Sequence, residues 1–195
     1  MALRRTTDAT SELMTTAVAK LHLKEDLVDT DNDTRIASYY KAARQWMELH
    51  TGRAFVSQTW TMNLSDWPDD GIIELRPNPV ISITSVKYYN TDGTQTTLVA
   101  GTDYQVDVNS EPARIAEEPG ATWPSLETDR LNPIEVIFVA GYGTASTDVP
   151  DPLIHANKFI LAHLYAHPES VSEGNLTEVP QGSEALLWPY RLEEA

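Results

Sequence analysis

Apolar residues recur at helical spacing in three segments of the chain, and two of these lie in its first 52 residues. The first segment places Leu13, Ala17 and Leu21 on one helical face. Thr10 and Ser11 precede it, and hydroxyl side chains of this kind cap the free N–H groups of a helix's first turn. The pattern predicts a first helix that begins directly after these two residues.

The second helical segment follows a polar run that contains Asp29, Asp31, Asn32 and Asp33. Its apolar positions share one side of a helix and are Ile36, Tyr39, Tyr40, Ala43, Trp46 and Met47. Gly52 comes next, at the position where helices often end in a left-handed residue. We expect this polar run to supply the N-cap of the helix and Gly52 to end it.

Between Arg53 and Tyr142 the pattern changes to short runs of β-branched and aromatic residues separated by Pro, Gly, Asn and Asp. This texture is typical of strands joined by tight turns, and Asp92-Gly93 is a hairpin signal. Strands are predicted at residues 55–64, 72–75, 80–90, 94–99, 104–108 and 134–142. The last run is apolar on both faces, which predicts a central strand.

Helical spacing returns after residue 143, with Asp151 and Pro152 at the expected start of a third helix. Its apolar residues cover much of the circumference, which predicts a helix that is buried or covered by neighbours. The stretch from Glu169 to Gly182 is polar and is interpreted as a flexible linker. An apolar cluster follows it at residues 186–190, and we interpret this cluster as a docking segment beyond the folded core.

The order of these elements predicts an α+β fold. Two N-terminal helices and one C-terminal helix would form a small helical core, into which a mainly antiparallel β block is inserted, with a C-terminal arm at the end. The expected divisions are residues 1–52 for the N-terminal helices, 53–143 for the inserted β domain, 144–168 for the third core helix, and 169–195 for the flexible linker and docking arm.

The charge balance restricts the possible partners. The chain has 14 Lys and Arg against 29 Asp and Glu, a formal net charge of -15. Affinity for DNA depends largely on cations that displace counterions from phosphates, so tight DNA binding is not expected. The same charge suits a channel wall that repels DNA in transit. The sequence also predicts neither a membrane helix nor a secretory signal.

Two groups of side chains could carry metal chemistry, and each lacks a required member. Asp29, Asp31 and Asp33 are spaced like the start of a calcium loop, but Thr34 and Tyr40 stand where that loop needs glycine and glutamate.

The second group is His155, His163 and His167, which could share one face of the third helix. A zinc site needs three convergent protein ligands, and the glutamate of the HExxH motif is absent. Since the chain has no cysteine, thiolate sites and cysteine nucleophiles are excluded. We therefore expect no catalytic residue, no metal site and no cofactor.

Several short motifs occur in a fixed order along most of the chain. They are Glu48-Leu-His-Thr-Gly-Arg53, Gln58-Thr-Trp60, Ile73-Glu-Leu-Arg-Pro-Asn-Pro-Val80, Ile83-Thr-Ser-Val86-Lys-Tyr88, Asp92-Gly93, Tyr104-Gln-Val-Asp107, Trp123-Pro124, Val136-Ile-Phe-Val-Ala-Gly-Tyr-Gly143, Val149-Pro150 and Leu186-Leu-Trp-Pro-Tyr-Arg191. In this order and spacing they resemble the head-tail connector, or adaptor, proteins of long-tailed phages and gene transfer agents.

The resemblance implies a structural virion protein and not an enzyme. Subunits of that family form a ring, here expected to be dodecameric, beneath the portal protein. DNA passes through the ring without specific binding, and a stopper or tail-completion protein attaches below it. The protein would lie at the head-tail junction of the virion after assembly in the host cytoplasm, without contact to a membrane.

The resemblance also implies two sets of contacts. The expected portal-docking residues are Leu186, Leu187, Trp188, Tyr190 and Arg191. The expected contacts to a neighbouring subunit or to the tail side are Pro77, Pro79, Tyr88 and Tyr89. Deleting residues 184–195 is accordingly expected to leave a folded protein that no longer joins portal-bearing heads.

Three alternatives stay open. The first is a tail-completion or stopper protein, which would bind the tail end instead of the portal. The second is a metal-dependent hydrolase that uses the face of His155, His163 and His167. The third is a small-ligand binding module on the β block, which has only aromatic residues in its favour.

Overall fold

The computed structural model describes residues 1–167 and 181–192, and the chain divides into two compact units. One unit, here the β unit, contains Met1–Thr10 and Ser57–Tyr142. The other, here the helical unit, contains Ser11–Val56 and Gly143–Ala195. The predicted α+β class, with an antiparallel β block inserted among helices, is confirmed. Positions 168–180, where most of the expected flexible linker falls, and 193–195 lie outside the described residues.

The helical unit contains helices α1 (Thr16–Leu23), α2 (Asp33–Thr51), α3 (Asp151–Ala166) and α4 (Gln181–Leu187), with short 3-10 turns at Ser146–Asp148 and Trp188–Tyr190. Part of its core is a cluster shared by α1, α2 and α3, made of Met14, Ala19, Ile36, Tyr40 and Leu161. Among the described residues, no helix is both long and apolar enough to cross a bilayer.

Helix α1 begins later than its sequence pattern predicts. Thr15 is the N-cap residue, and its hydroxyl accepts a hydrogen bond from the N–H of Val18 at 3.3 Å. The predicted cap, Ser11, instead donates its hydroxyl to the carbonyl of Thr144 at 2.9 Å. Residues 11–15 are therefore held by contacts to distant parts of the chain, which helical periodicity cannot reveal.

The polar run before α2 supplies the N-cap residue as predicted, and this residue is Asn32. The side chain of Asn32 makes no capping hydrogen bond. Asp33 is the first helical residue and pairs with the buried Lys20 at 2.8 Å, while the carboxylate of Asp29 accepts the N–H of Asp31 at 2.9 Å. The predicted end of α2 is confirmed, because Gly52 caps it with a φ of 69°.

A fully buried arginine lies at the centre of the helical unit. The guanidinium of Arg44 donates two hydrogen bonds to the carboxylate of Glu12, at 2.8 and 3.2 Å, and one to Glu48 at 2.8 Å. Glu48 in turn accepts the N–H of Phe55 at 3.1 Å. A buried charge is tolerated only when it is paired and hydrogen-bonded. Arg44 and Glu48 therefore hold two segments against α2, namely the one that precedes α1 and the one that follows α2 itself.

The β unit contains strands β1 (Ala2–Thr7), β2 (Gln58–Leu64), β3 (Ile72–Leu75), β4 (Val80–Tyr89), β5 (Gln95–Thr97), β6 (Tyr104–Asp107), β7 (Ala113–Glu117) and β8 (Ile134–Ala140). They form a five-stranded antiparallel sheet in the order β1-β2-β8-β4-β5 and a three-stranded antiparallel sheet in the order β3-β7-β6. The prediction that β8 is central is confirmed, since Val136 pairs with Met62 on one side and with Val86 on the other.

Two strands were absent from the sequence prediction. Strand β1 is an exposed edge strand, so its residues carry no alternation of apolar and polar positions to reveal it. Its register is set by long-range pairing, for example of Leu3 with Met62. Strand β7 is short, and only Ala113 and Ile115 of its residues are buried. Residues 1–10, expected with the N-terminal helices, consequently belong to the β unit.

The buried ion pairs predict a large stability effect. Arg44→Ala would remove the cation that bonds the buried carboxylate of Glu48 and the carboxylate of Glu12, and we expect the free energy of unfolding to fall by about 3–5 kcal/mol. Urea titration followed by helical circular dichroism measures this change. The matched control is Arg35→Ala on the same helix, where an exposed guanidinium lies 5.0 Å from the ring of Tyr165. It is expected to cost about 1 kcal/mol or less, and equal losses in the two variants would contradict the prediction.

Candidate docking surfaces

The C-terminal segment 181–192 is folded onto the helical unit. Helix α4 packs against α3, and it turns the side chains of Ser183 and Leu187 into the interior, where both are fully buried. Their spacing of four residues places them on one helical face, which is a sequence signal for a packed helix. The interpretation of residues 186–190 as a cluster beyond the folded core was therefore wrong for Leu187.

Backbone contacts fix the residues that follow α4. The N–H of Leu192 donates to the carbonyl of Thr51 at 3.0 Å, next to the end of α2. The side chain of Arg53 donates from Nε to the carbonyl of Tyr190. The C-terminal segment is consequently attached to the chain that leaves α2, in addition to its packing on α3.

The five predicted portal-docking residues differ in their accessibility. Leu187 is buried, Leu186 and Tyr190 are half-buried, and Arg191 is exposed. Trp188 is 73% exposed although it directly follows the buried Leu187. A large aromatic side chain presented to solvent on a fixed backbone is typical of an interface anchor. Trp188 is therefore the strongest docking candidate of the five.

The predicted contact residues of the β block mainly pack inside their own unit. Pro77 is buried and Pro79 half-buried, on either side of the fully buried Asn78. The amide of Asn78 donates to the carbonyl of Leu75 at 3.2 Å and accepts the N–H of Ala113 at 3.1 Å. The turn at residues 76–79 thus connects β3 to β4 and binds β7 through Asn78. Pro77 is buried in this turn and offers little surface to a partner.

Tyr88 and Tyr89 are half-buried and help to hold the long loop between β7 and β8. The guanidinium carbon of Arg130 lies 3.3 Å from the centre of the Tyr89 ring, and the N–H of Glu127 donates to the carbonyl of Tyr89 at 2.9 Å. Tyr88 lies 6.3 Å from the indole of Trp67. Tyr89 therefore supports the loop directly, Tyr88 lies beside Trp67, and both tyrosines keep part of their surface exposed.

The same loop is anchored by two stacked tryptophans and presents an exposed leucine. Trp67 and Trp123 stack with ring centroids 4.4 Å apart, and their indole N–H groups donate to the carbonyls of Pro124 and Gly71. Leu131 is 90% exposed in this loop. Sequence reasoning missed it, because a single apolar residue such as the leucine between Arg130 and Asn132 is ordinary on a protein surface.

His155 and His163 of α3 and the C-cap residue His167 are only partly brought together. His163 and His167 have ring centroids 5.1 Å apart. Within residues 1–167 and 181–192, no group of three His, Cys, Asp or Glu side chains could hold a metal ion. The hydrolase alternative thus has no third ligand in the described part of the chain.

Three solved structures resemble the whole chain. They are the virion of a native gene transfer agent particle, the neck of an empty particle computed with C6 symmetry, and the neck of a native particle computed with C12 symmetry, with TM-scores of 0.81, 0.81 and 0.76. Each match covers 100% of this chain and 97% of the other, at 23% sequence identity. No family model and no curated protein matches the chain. The likeness shows a shared fold over the full length.

The position of the C-terminal segment predicts different roles for two adjacent residues. Leu187→Ala opens a cavity in the helical unit and should lower the free energy of unfolding by about 2–5 kcal/mol. Trp188→Ala removes an exposed side chain and should change it by no more than about 0.5 kcal/mol. Urea denaturation of both variants checks this difference. A destabilisation by Trp188→Ala as large as that by Leu187→Ala would show that Trp188 is a core residue.

Proposed function

We propose that this chain is a structural subunit of the neck of a gene transfer agent or tailed-phage particle, in which it acts as the head-tail connector, or adaptor. The observation that carries the proposal is the match of the entire fold to two neck structures, at TM-scores of 0.81 and 0.76. The ordered motifs from Glu48 to Arg191 support the same identification. The subunit forms a ring beneath the portal, and a stopper or tail protein attaches to its other side.

The charge of the chain supports a passive role towards DNA. A formal net charge of -15 gives a ring of such subunits a strongly negative surface. A negative channel wall repels the phosphate backbone, so DNA passes without being held. The subunit therefore contributes by binding proteins and not by binding DNA.

The C-terminal segment is the proposed portal-docking element, with Trp188 as its anchor. Its backbone is attached to the helical unit at Thr51 and Arg53, so little conformational freedom is lost when Trp188 enters a pocket of the portal. Arg191 and the exposed part of Tyr190 adjoin it along the chain. Leu187 contributes indirectly, because it holds the segment in place.

Because Leu187 is buried and Trp188 is exposed, a single substitution tests docking better than a deletion of the segment. Deleting residues 184–195 would remove the buried Leu187 together with Trp188, so loss of head joining would not separate docking from folding. Trp188→Ala removes the anchor alone. Loss of an aromatic anchor typically weakens binding by about 30-fold, and this is the expected loss of affinity for isolated portal.

The measurement is binding of the purified chain to isolated portal, together with electron microscopy of portal-bearing heads after mixing. The matched control is Leu49→Ala, which truncates another strongly exposed side chain of the helical unit and should bind normally. Unchanged portal binding by Trp188→Ala would overturn the docking assignment. Binding of the wild-type chain to a tail-end protein but not to portal would identify a stopper instead.

A further inference from the structure

The five-stranded sheet has an open edge at β1. This strand pairs with β2 on one side, and among the described residues no strand pairs with its other side. Residues Ala2 to Arg5 form a regular ladder with β2, and the register shifts only between Arg5 and Thr7. A regular edge strand presents backbone N–H and C=O groups that can bind one further strand.

The five-stranded sheet differs in charge from the rest of the chain. Its strands carry Arg4, Arg5 and Lys87 against the single carboxylate of Glu135. Subtracting these four residues from the 14 basic and 29 acidic residues of the chain leaves 11 basic and 28 acidic residues elsewhere. Lys87 and Glu135 pair with each other at 3.7 Å. The positive charge of the sheet is therefore concentrated on β1.

The two faces of β1 differ in chemistry, because successive side chains of a strand point to opposite faces. Arg4 is exposed on one face and forms no ion pair within the part of the chain that the structure describes. Leu3 lies on the other face, opposite the buried Met62, and is 38% exposed. Arg5 shares the face of Leu3 and pairs with Asp8 at 3.2 Å. The adjoining strand β2 adds no charged residue to either face.

We propose that β1 binds an extended segment of a partner protein, which joins the sheet as a sixth strand and alternates acidic with apolar residues. The carboxylates of this segment lie on the face of Arg4, and its apolar side chains cover Leu3. Main-chain hydrogen bonds give such strand addition its affinity, and alternate side chains give it specificity. Charge complementarity identifies the occupant, since β1 is a cationic edge in a chain with a net charge of -15.

The arginines of β1 disfavour the other possible occupants of the edge. Two copies of β1 that paired with each other would place arginines side by side, and like charges on neighbouring strands destabilise a sheet. Charged edge residues prevent unwanted strand pairing in this way, but an acidic strand gains an opposite-charge pair instead. DNA is also anionic, but its phosphate backbone has no N–H donors with which to continue the ladder. The inference goes beyond portal docking by Trp188 and does not depend on it.

Hydrogen exchange of the β1 amides tests the proposal. The probe is a short synthetic peptide, Thr-Glu-Val-Glu-Val-Glu-Thr, added to the isotope-labelled full chain and followed by NMR. We expect it to protect those β1 amides whose N–H groups face away from β2. One control peptide has lysine in place of glutamate, and another is the acidic peptide N-methylated at every internal residue. No protection by the acidic peptide, or equal protection by either control, would overturn the proposal.

A pair of charge-matched variants tests the role of Arg4. Arg4→Glu replaces an opposite-charge pair across the strands with a like-charge pair, so peptide binding should weaken by about tenfold. Arg35→Glu changes the net charge equally but lies on α2, and its peptide affinity should stay within about twofold of the wild-type value. Calorimetric titration measures both affinities. Equal affinities of the two variants would contradict the assignment of Arg4, because general attraction between the chain and the peptide would then explain binding.

A single-stranded oligothymidylate distinguishes an acidic strand from polyanions in general. In the same NMR experiment it should neither protect the β1 amides nor displace the acidic peptide. Displacement of the peptide by the oligonucleotide would overturn the proposal and assign the edge to phosphate instead. Retention of the peptide would support an occupant that pairs through its own main chain.

Discussion

The buried Arg44 is the constraint on which the helical unit depends. Its guanidinium has no access to water and must therefore be satisfied by Glu12 and Glu48. Glu12 precedes α1, Glu48 lies near the end of α2, and Glu48 also binds the N–H of Phe55. The bonds of one buried guanidinium thus fix both the segment before α1 and the segment after α2. The apolar cluster that α1, α2 and α3 share packs with the backbone held in the conformation that these bonds impose.

Sequence patterns identified the regular elements well because those elements have a buried face. Strand β8 was predicted to be central from its apolar residues, and Gly52 was predicted to end α2 from its conformational freedom. Strand β1 carries no such pattern, because it lies at a sheet edge with both faces largely exposed. Helix α1 was misplaced at its start because Ser11 and Glu12 are held by Thr144 and Arg44, far away in sequence.

The candidate docking surfaces could be predicted only in part, for a related reason. The residue types of the C-terminal segment identified it as a docking candidate. Only the structure distinguishes the buried Leu187, which supports the segment, from the exposed Trp188. Pro77, Tyr88 and Tyr89 were chosen for their residue type, but in the structure Pro77 is buried, Tyr88 lies beside Trp67 and Tyr89 lies under Arg130. The exposed Leu131 gave no decisive signal in the sequence, since the exposure of an apolar residue depends on neighbours from other elements.

The two ends of the inserted β segment have a consequence for how this chain can be divided. Val56 and Gly143 are the last and first residues of the helical unit at the insertion, and they form a parallel bridge side by side. A segment whose ends lie together can be exchanged for a short turn without moving the residues that flank it. The helical unit can thus accept inserted β segments of different length at the junction of Val56 and Gly143.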